Sequence, residues 1–383
     1  MNTLGEAVEE LRLVDHHVHG AFDVPLTRPR FEECLNEGSP DPIPDWMTQF
    51  DSQLGFAVRR WCAPLLGLPV HAHADDYWAR RAELGEREVN RLLLPAAGVG
   101  DWIVDTGHLG GELLDPAGLA AVGGGRAHEI VRLESLACVA AEGATGAEYA
   151  DRFRDLLRTA AATAVGVKTV VAYRTGFEID WSPPSPAEVT AAADRWTGSG
   201  EPRLADPVLL RFGIHSAVEL GLPIQVHVGF GDRDLDLHKV NPMLLLGLLR
   251  QPAVAAVPIM LLHCFPYHRE AGYLAQSFDN VYFDVGLAVN HVGARATAVV
   301  AESLELAPFA KILYSSDAWG PAELHYLGAR LWRRAITTTA GAWVAAGDWS
   351  ASDALRVITM IGRDNAMRVY GLSHTGKGGA WVR

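Results

Sequence analysis

Eight short runs of β-branched and apolar residues recur along this chain, separated by stretches long enough to hold helices. The runs cover residues 13–17, 102–105, 129–133, 165–173, 224–228, 259–263, 281–285 and 312–315. Turn signals introduce several of them: Gly221-Leu222-Pro223 before the fifth, Pro258 before the sixth, Asp279-Asn280 before the seventh. Helix-like stretches such as 147–162 and 207–220 lie between. Strands alternating with helices call for parallel βαβ units, because a parallel neighbour is reached only by a crossover. Eight strands in 383 residues predict an α/β chain folded as a (β/α)8 TIM barrel, in preference to an open sheet.

One connection is too long for a simple crossover. Residues 20–101, rich in Trp, Arg, Glu and Leu, separate the first run from the second. Within them 31–35 and 77–94 show helical spacing. The expectation is a single domain over 1–383 with a helical insertion after strand 1, spanning 23–98, on the face where a barrel carries its active site. A shorter segment, 178–205, is expected to loop over the same face. There is no internal repeat.

Composition removes several classes. About half the residues are hydrophobic (49%), enough to offset the entropy of ordering the chain. A net charge of −13 without a basic stretch argues against a nucleic-acid partner. The first ten residues are acidic and lack the apolar core of a signal peptide. The most apolar stretch, 253–265, contains Pro258 and His263 and is too short to cross a bilayer. Cys34, Cys62, Cys138 and Cys264 are scattered, without a C-x-x-C pair, which favours reduced thiols in a cytoplasmic protein. The expected partner is a small-molecule substrate, with no membrane role. Trp and Leu residues of the insertion offer a surface for a homo-oligomer.

The chemistry sits at the strand ends. His17 and His19 are two apart, so on a strand both face one side and can grip one cation. The fifth run carries His227 next to its last residue, the sixth ends in His263, and the eighth leads to Asp317. Parallel barrel strands all end on one face, so these five residues converge there. Histidine nitrogens and a carboxylate are a ligand set for Zn²⁺ or a similar ion. The alternative, each histidine merely capping its own strand, has to hold at four separate strand ends.

The order Asp15-x-His17-x-His19, His227, His263, Asp317 resembles the amidohydrolase superfamily of metal-dependent hydrolases. Three longer stretches are similar to its amidohydrolase-2 branch, found alone or fused to a glutamine-synthetase-like domain. They are Gln225-Val226-His227-Val228-Gly229-Phe230-Gly231-Asp232, His263-Cys264-Phe265-Pro266-Tyr267-His268-Arg269-Glu270 and Tyr314-Ser315-Ser316-Asp317. The resemblance implies one divalent metal, zinc with manganese as the alternative, held by His17, His19, His227 and Asp317. His263 would sit just outside or ligate a second ion. It implies a metal-activated water that cleaves the amide C–N bond of a small carboxylate-bearing substrate, a γ-glutamyl amide or similar. Asp317 would serve as base and His263 would polarise the carbonyl.

Binuclear members place a carboxylated lysine on the fourth strand, where this chain has Lys168. It lies six residues before Arg174, deeper than a bridging ligand would suit, and pairing with an inward carboxylate such as Asp284 is the other choice. Arg174, at the apparent strand end, suits a substrate carboxylate. His268 and Arg269, after the sixth strand, are further substrate candidates, with surface ion pairing as the alternative. Relatives also run non-hydrolytic decarboxylation, and a non-catalytic binding barrel is the reading from outside enzymology.

Two motifs are set aside. His71-Ala72-His73 falls in the expected helical insertion, and residues two apart on a helix point about 200° apart. Asp232-Arg233-Asp234-Leu235-Asp236 opens like a calcium loop but has Leu237 and Met243 where such loops need Gly and Glu. It is expected to shape the pocket. The tail Gly376-Lys377-Gly378-Gly379 reads as a flexible end.

Overall fold

The computed structural model describes residues 3–109 and 111–372; the glycine-rich tail falls outside them. Seven parallel strands run in chain order: β1 (Leu13–Val18), β2 (Val99–Asp105), β3 (Arg126–Arg132), β4 (Gly166–Thr169), β5 (Ile224–His227), β6 (Ile259–Leu262) and β7 (Val281–Phe283). The sheet curls, and residues 312–317 hydrogen-bond to both of its edges. Leu313 N donates to Phe283 O of β7 at 2.9 Å, and His16 N of β1 donates to Tyr314 O at 3.2 Å.

The eighth run is not a regular strand. The Asp15 carboxylate accepts from Ser316 N (2.9 Å) and Ser316 Oγ (2.5 Å), so a side chain takes the backbone donor that a ladder would use. The strands also differ from expectation at their limits. β2 and β3 start three residues early, at Val99 and Arg126. β4 stops at Thr169 and gives way to a single 3₁₀ turn, Val171–Tyr173, so Arg174 lies beyond the strand.

Apolar residues alternate between two layers, as the strand period requires. Ile259 and Leu261 of β6 pack outward in the layer shared with the helices. Met260 and Leu262 point the other way, into a cluster with Val14, Ile103, Ile130 and Leu313. Ala366 and Met367 of the chain's last described helix, Asn365–Val369, and Tyr370 just past it join this inner cluster and close one end of it. The polar site occupies the other end, past the strand C-termini.

Between β1 and β2 lie the helices Arg28–Cys34, Gln53–Ala57 and Ala74–Ala96. Helix Ala74–Ala96 is fastened to the long helix Ala322–Ala346 by a buried ionic cluster. Arg81 donates to both Glu86 oxygens (2.6 and 2.8 Å) and to Glu323 Oε1 (2.8 Å), and Tyr77 Oη donates to the same Glu323 oxygen (2.8 Å). His71 and His73 are not on a helix as expected: both are exposed, His71 has φ 62°, and His73 caps helix Ala74–Ala96. The 178–205 segment also carries a helix, Pro186–Ser199, started by a Ser185/Glu188 capping box.

All four cysteines are unpaired, three of them buried. Among the described residues no helix is long and apolar enough to cross a membrane.

Candidate metal centre

His17 ends up fully buried, its Nε2 2.9 Å from Asp317 Oδ1. The Nδ1 of His19 meets the backbone oxygen of Asp105 at 2.9 Å. A carbonyl only accepts, so Nδ1 carries the proton and Nε2 presents its lone pair, 3.7 Å from the same Asp317 oxygen. The same device operates at His263, where Nδ1 donates to Val228 O at 3.0 Å. Its Nε2 lies 3.6 Å from Asp317 Oδ2 and has no hydrogen-bond partner. His227 closes β5 with its ring centroid 4.3 Å from that of His263, and its buried Nε2 is also unpartnered. His263 (φ 39°) and Asp317 (φ 48°) adopt the left-handed conformation that side chains other than glycine rarely take. Strain of this kind gathers at functional sites.

Lys168 belongs to the same cluster, contrary to its expected depth. Its Nζ lies 2.8 Å from His17 Nε2 and 3.3 Å from Asp105 Oδ2, because its four-carbon stem carries the ammonium up to the strand ends. Its carboxylate partner is Asp105, not Asp284. Asp284 instead accepts from Ser315 Oγ (2.7 Å) and from the backbone of His263 (3.0 Å), and lies 2.9 Å from His16 Nε2.

Burial sets the protonation states. It drives His17 down to about 4, helped by the Lys168 charge, and pushes His19, His227 and His263 below their ordinary value as well. Burial opposes ionisation of Asp317, but its surroundings, His263, the hydrogen bond with His17 and the Lys168 ammonium, outweigh it and hold the carboxyl well below the usual range. Asp105 is held low in the same way, chiefly by Arg132 and Lys168.

The centre therefore offers neutral imidazoles beside ionised carboxylates. Two sets, His17/His263/Asp317 and His17/His19/Asp105, have ligand atoms within 4.8 Å of one another. Buried nitrogens left without partners are costly unless something fills the gap. A divalent cation fits that role at His263, which belongs to one of the two sets; His227 belongs to neither.

Above the cluster opens a cavity of about 580 Å³, which Arg174, Asp232 and Asp234 help to line, the two aspartates as expected of their loop. The Arg174 Nε is buried and unpartnered. His268 and Arg269 do not line the cavity: His268 Nε2 pairs with Glu302 (2.7 Å) and Arg269 Nε with Glu305 (2.9 Å). Helix His268–Ser277 begins there and turns both side chains toward a neighbouring acidic pair.

Asp105, Arg132, Glu37 and Trp319 were not singled out in the sequence, although all four frame the site. Asp105 was findable, since it ends a strand run just as His227 and His263 do. Glu37 carries no comparable signal, because its place depends on how the chain between β1 and β2 folds back.

A crystal structure from Lactobacillus casei ATCC 334, provisionally described as a metal-dependent hydrolase, is similar at 29% identity with TM-score 0.84, over 97% of this chain and 98% of that one. A glucuronate isomerase from Caulobacter crescentus, at 14% identity and TM-score 0.64 over 97% and 93% of the two chains, shares the fold alone. The protein fluG of Emericella nidulans is 32% identical over 224 residues, covering 55% of this chain but only 26% of fluG, so the likeness concerns about a quarter of that protein. The amidohydrolase family model matches residues 70–372, a stretch that contains His227, His263 and Asp317 while His17 and His19 precede it. The chain belongs to the amidohydrolase family.

Proposed function

We propose that this chain is a metal-dependent hydrolase that cleaves the amide C–N bond of a small carboxylate-bearing substrate, a γ-glutamyl amide or similar. The observation that carries this is the pair of unpartnered nitrogens, His227 Nε2 and His263 Nε2, beside Asp317 under a cavity lined by Arg174. The description given to the Lactobacillus casei relative points the same way. On this reading the fold is a (β/α)8 barrel whose eighth stave is residues 312–317, in a single domain over 1–383 with 23–98 as a helical insertion. It acts on a small molecule in the cytoplasm, without nucleic-acid or membrane partners, alone or as a homo-oligomer.

His17, His19, His227 and Asp317 would hold one divalent ion, zinc or manganese, with His263 and Lys168 beside it. When bound, such an ion makes water acidic enough to supply hydroxide near neutral pH. Asp317 accepts the proton that the attacking water sheds and delivers it to the departing amine. His263 keeps its Nδ1–H on Val228 O; burial disfavours a second proton at Nε2 but Asp317 and Asp284 favour it, and in that state His263 would donate to the substrate oxygen as charge builds there. Arg174 holds the substrate carboxylate through two parallel N–H donors. Lys168 and Arg132 stay on Asp105 and keep that carboxylate ionised.

A screen of γ-glutamyl amides, N-acyl amino acids and lactones with added Zn²⁺ or Mn²⁺ tests the proposal. Amine release is expected. Release of CO₂ without amine would move the chain to the decarboxylases of the superfamily. No turnover and no bound metal would favour a binding barrel.

A further inference from the structure

The cations and carboxylates that line the cavity are mostly spent on one another. Arg132 is held by Asp105 (2.6 Å), Arg203 by Asp234 (3.2 Å), and Arg30 lies 3.8 Å from Glu33. Three groups are left over among the described residues, one of them Asp232, which has no cationic partner and whose Oδ1 accepts from the backbone N of Asp234 at 2.8 Å. Arg174 makes no side-chain hydrogen bond or ion pair, and its Nε is buried. Glu37 has no cationic partner; one carboxylate oxygen accepts from Trp319 Nε1 at 3.2 Å, and no hydrogen bond is made by the other.

An unpaired guanidinium and unpaired carboxylates in one cavity are complementary to a ligand with the opposite two charges, and of the two carboxylates Asp232 is already turned to the backbone of its own loop. We infer that the cavity selects a zwitterionic, amino-acid-like substrate, in which Arg174 takes the carboxylate and Glu37 takes the ammonium group. Glu37 is thus a specificity-determining residue, supplied by the chain between β1 and β2 and anchored by Trp319, two residues past Asp317. Burial pushes the Glu37 carboxyl up to about 8, a penalty that an arriving ammonium would relieve. The inference rests on the amide-hydrolase reading for the identity of the reacting bond, but not for the charge pattern.

Calorimetric titration of the metal-loaded full chain tests it with three matched pairs: L-aspartate and succinate, L-glutamate and glutarate, L-2-aminoadipate and adipate. The amino member of at least one pair should bind roughly tenfold tighter than its diacid, the scale of one charge-assisted contact. In E37Q, which keeps an acceptor for Trp319, that preference should collapse while diacid binding stays unchanged. In R174Q both members should weaken. Equal binding within every pair, no binding by any member, or a preference that survives E37Q would overturn the assignment. Intact preference without hydrolysis of any amide would instead sink the hydrolase reading alone. Amides hydrolysed equally well with and without the ammonium group would sink only the role of Glu37.

Discussion

His17 Nε2 and Asp317 Oδ1 lie 2.9 Å apart, joining the first strand to the segment that bridges β7 and β1. The β1 and 312–317 parts of the candidate centre therefore meet where the sheet's two edges come together, and their placement depends on that junction being held in register.

Asp105 illustrates the electrostatic cost of the site. It is the carboxylate shared by Lys168 and Arg132, two cations next to the proposed ion. Asp105→Asn leaves both in place without compensation, so repulsion should weaken metal binding by about 10- to 100-fold, the scale of outer-shell changes. A competition titration against a chelator measures this. Unchanged affinity would show that Asp105 does not tune the ion.

Arg81 tests the tie between helices Ala74–Ala96 and Ala322–Ala346. It is 1% exposed and serves two carboxylates. Arg81→Met strands Glu86 and Glu323, and unfolding by urea should show a loss of about 3–5 kcal/mol. A loss below about 1 kcal/mol would mean that water or repacking compensates.

Two glycines should respond in opposite directions. A Cβ on Gly286 would meet Ser315 Oγ at 2.1 Å and Ser315 O at 2.9 Å, whereas one on Gly341, inside helix Ala322–Ala346, meets nothing within 4 Å. Gly286→Ala should cost about 1–3 kcal/mol and disturb Asp284, while Gly341→Ala should stabilise by up to about 1 kcal/mol. Thermal unfolding of the two variants checks the contrast. Equal shifts would contradict it.

Acid should destabilise the metal-free protein through its buried histidines. Burial lowers His17 and His291 to about 4, against 6.5 for the ordinary side chain. The unfolded chain binds these protons first, so the stability they contribute is present above about 6.5 and is lost as pH falls toward 4. His291 lies outside the ligand cluster, its ring against Phe230, so His291→Asn should make the fall in Tm between pH 7 and pH 5 shallower. A fall identical to that of the unmodified chain would contradict the assignment.

Much of the centre was legible because strand ends are legible. Apolar runs closing in His227 and His263 name their own position once parallel strands are inferred. Lys168 reaches higher into the site than its backbone position implies, because its long stem carries the ammonium to the strand ends. His268 and Arg269 sat in a stretch similar to the family, yet one turn of helix directs them to Glu302 and Glu305. Glu37 and Trp319 meet only through the fold of the chain between β1 and β2, which has no periodic signal. The eighth run failed as a strand because Asp15 captures Ser316 N, a contact between residues that no local pattern links.

The central claim is that Asp317 moves protons for a metal-dependent cleavage of an amide bond. The most direct measurement is amine release by the metal-loaded chain and by Asp317→Asn, on the best substrate of the amide screen, with bound metal quantified in both. Amine release that stops on chelation, returns with Zn²⁺ or Mn²⁺, and falls by about 10²-fold or more in Asp317→Asn is the predicted result. Release that survives chelation, or that Asp317→Asn leaves unchanged, would contradict the account.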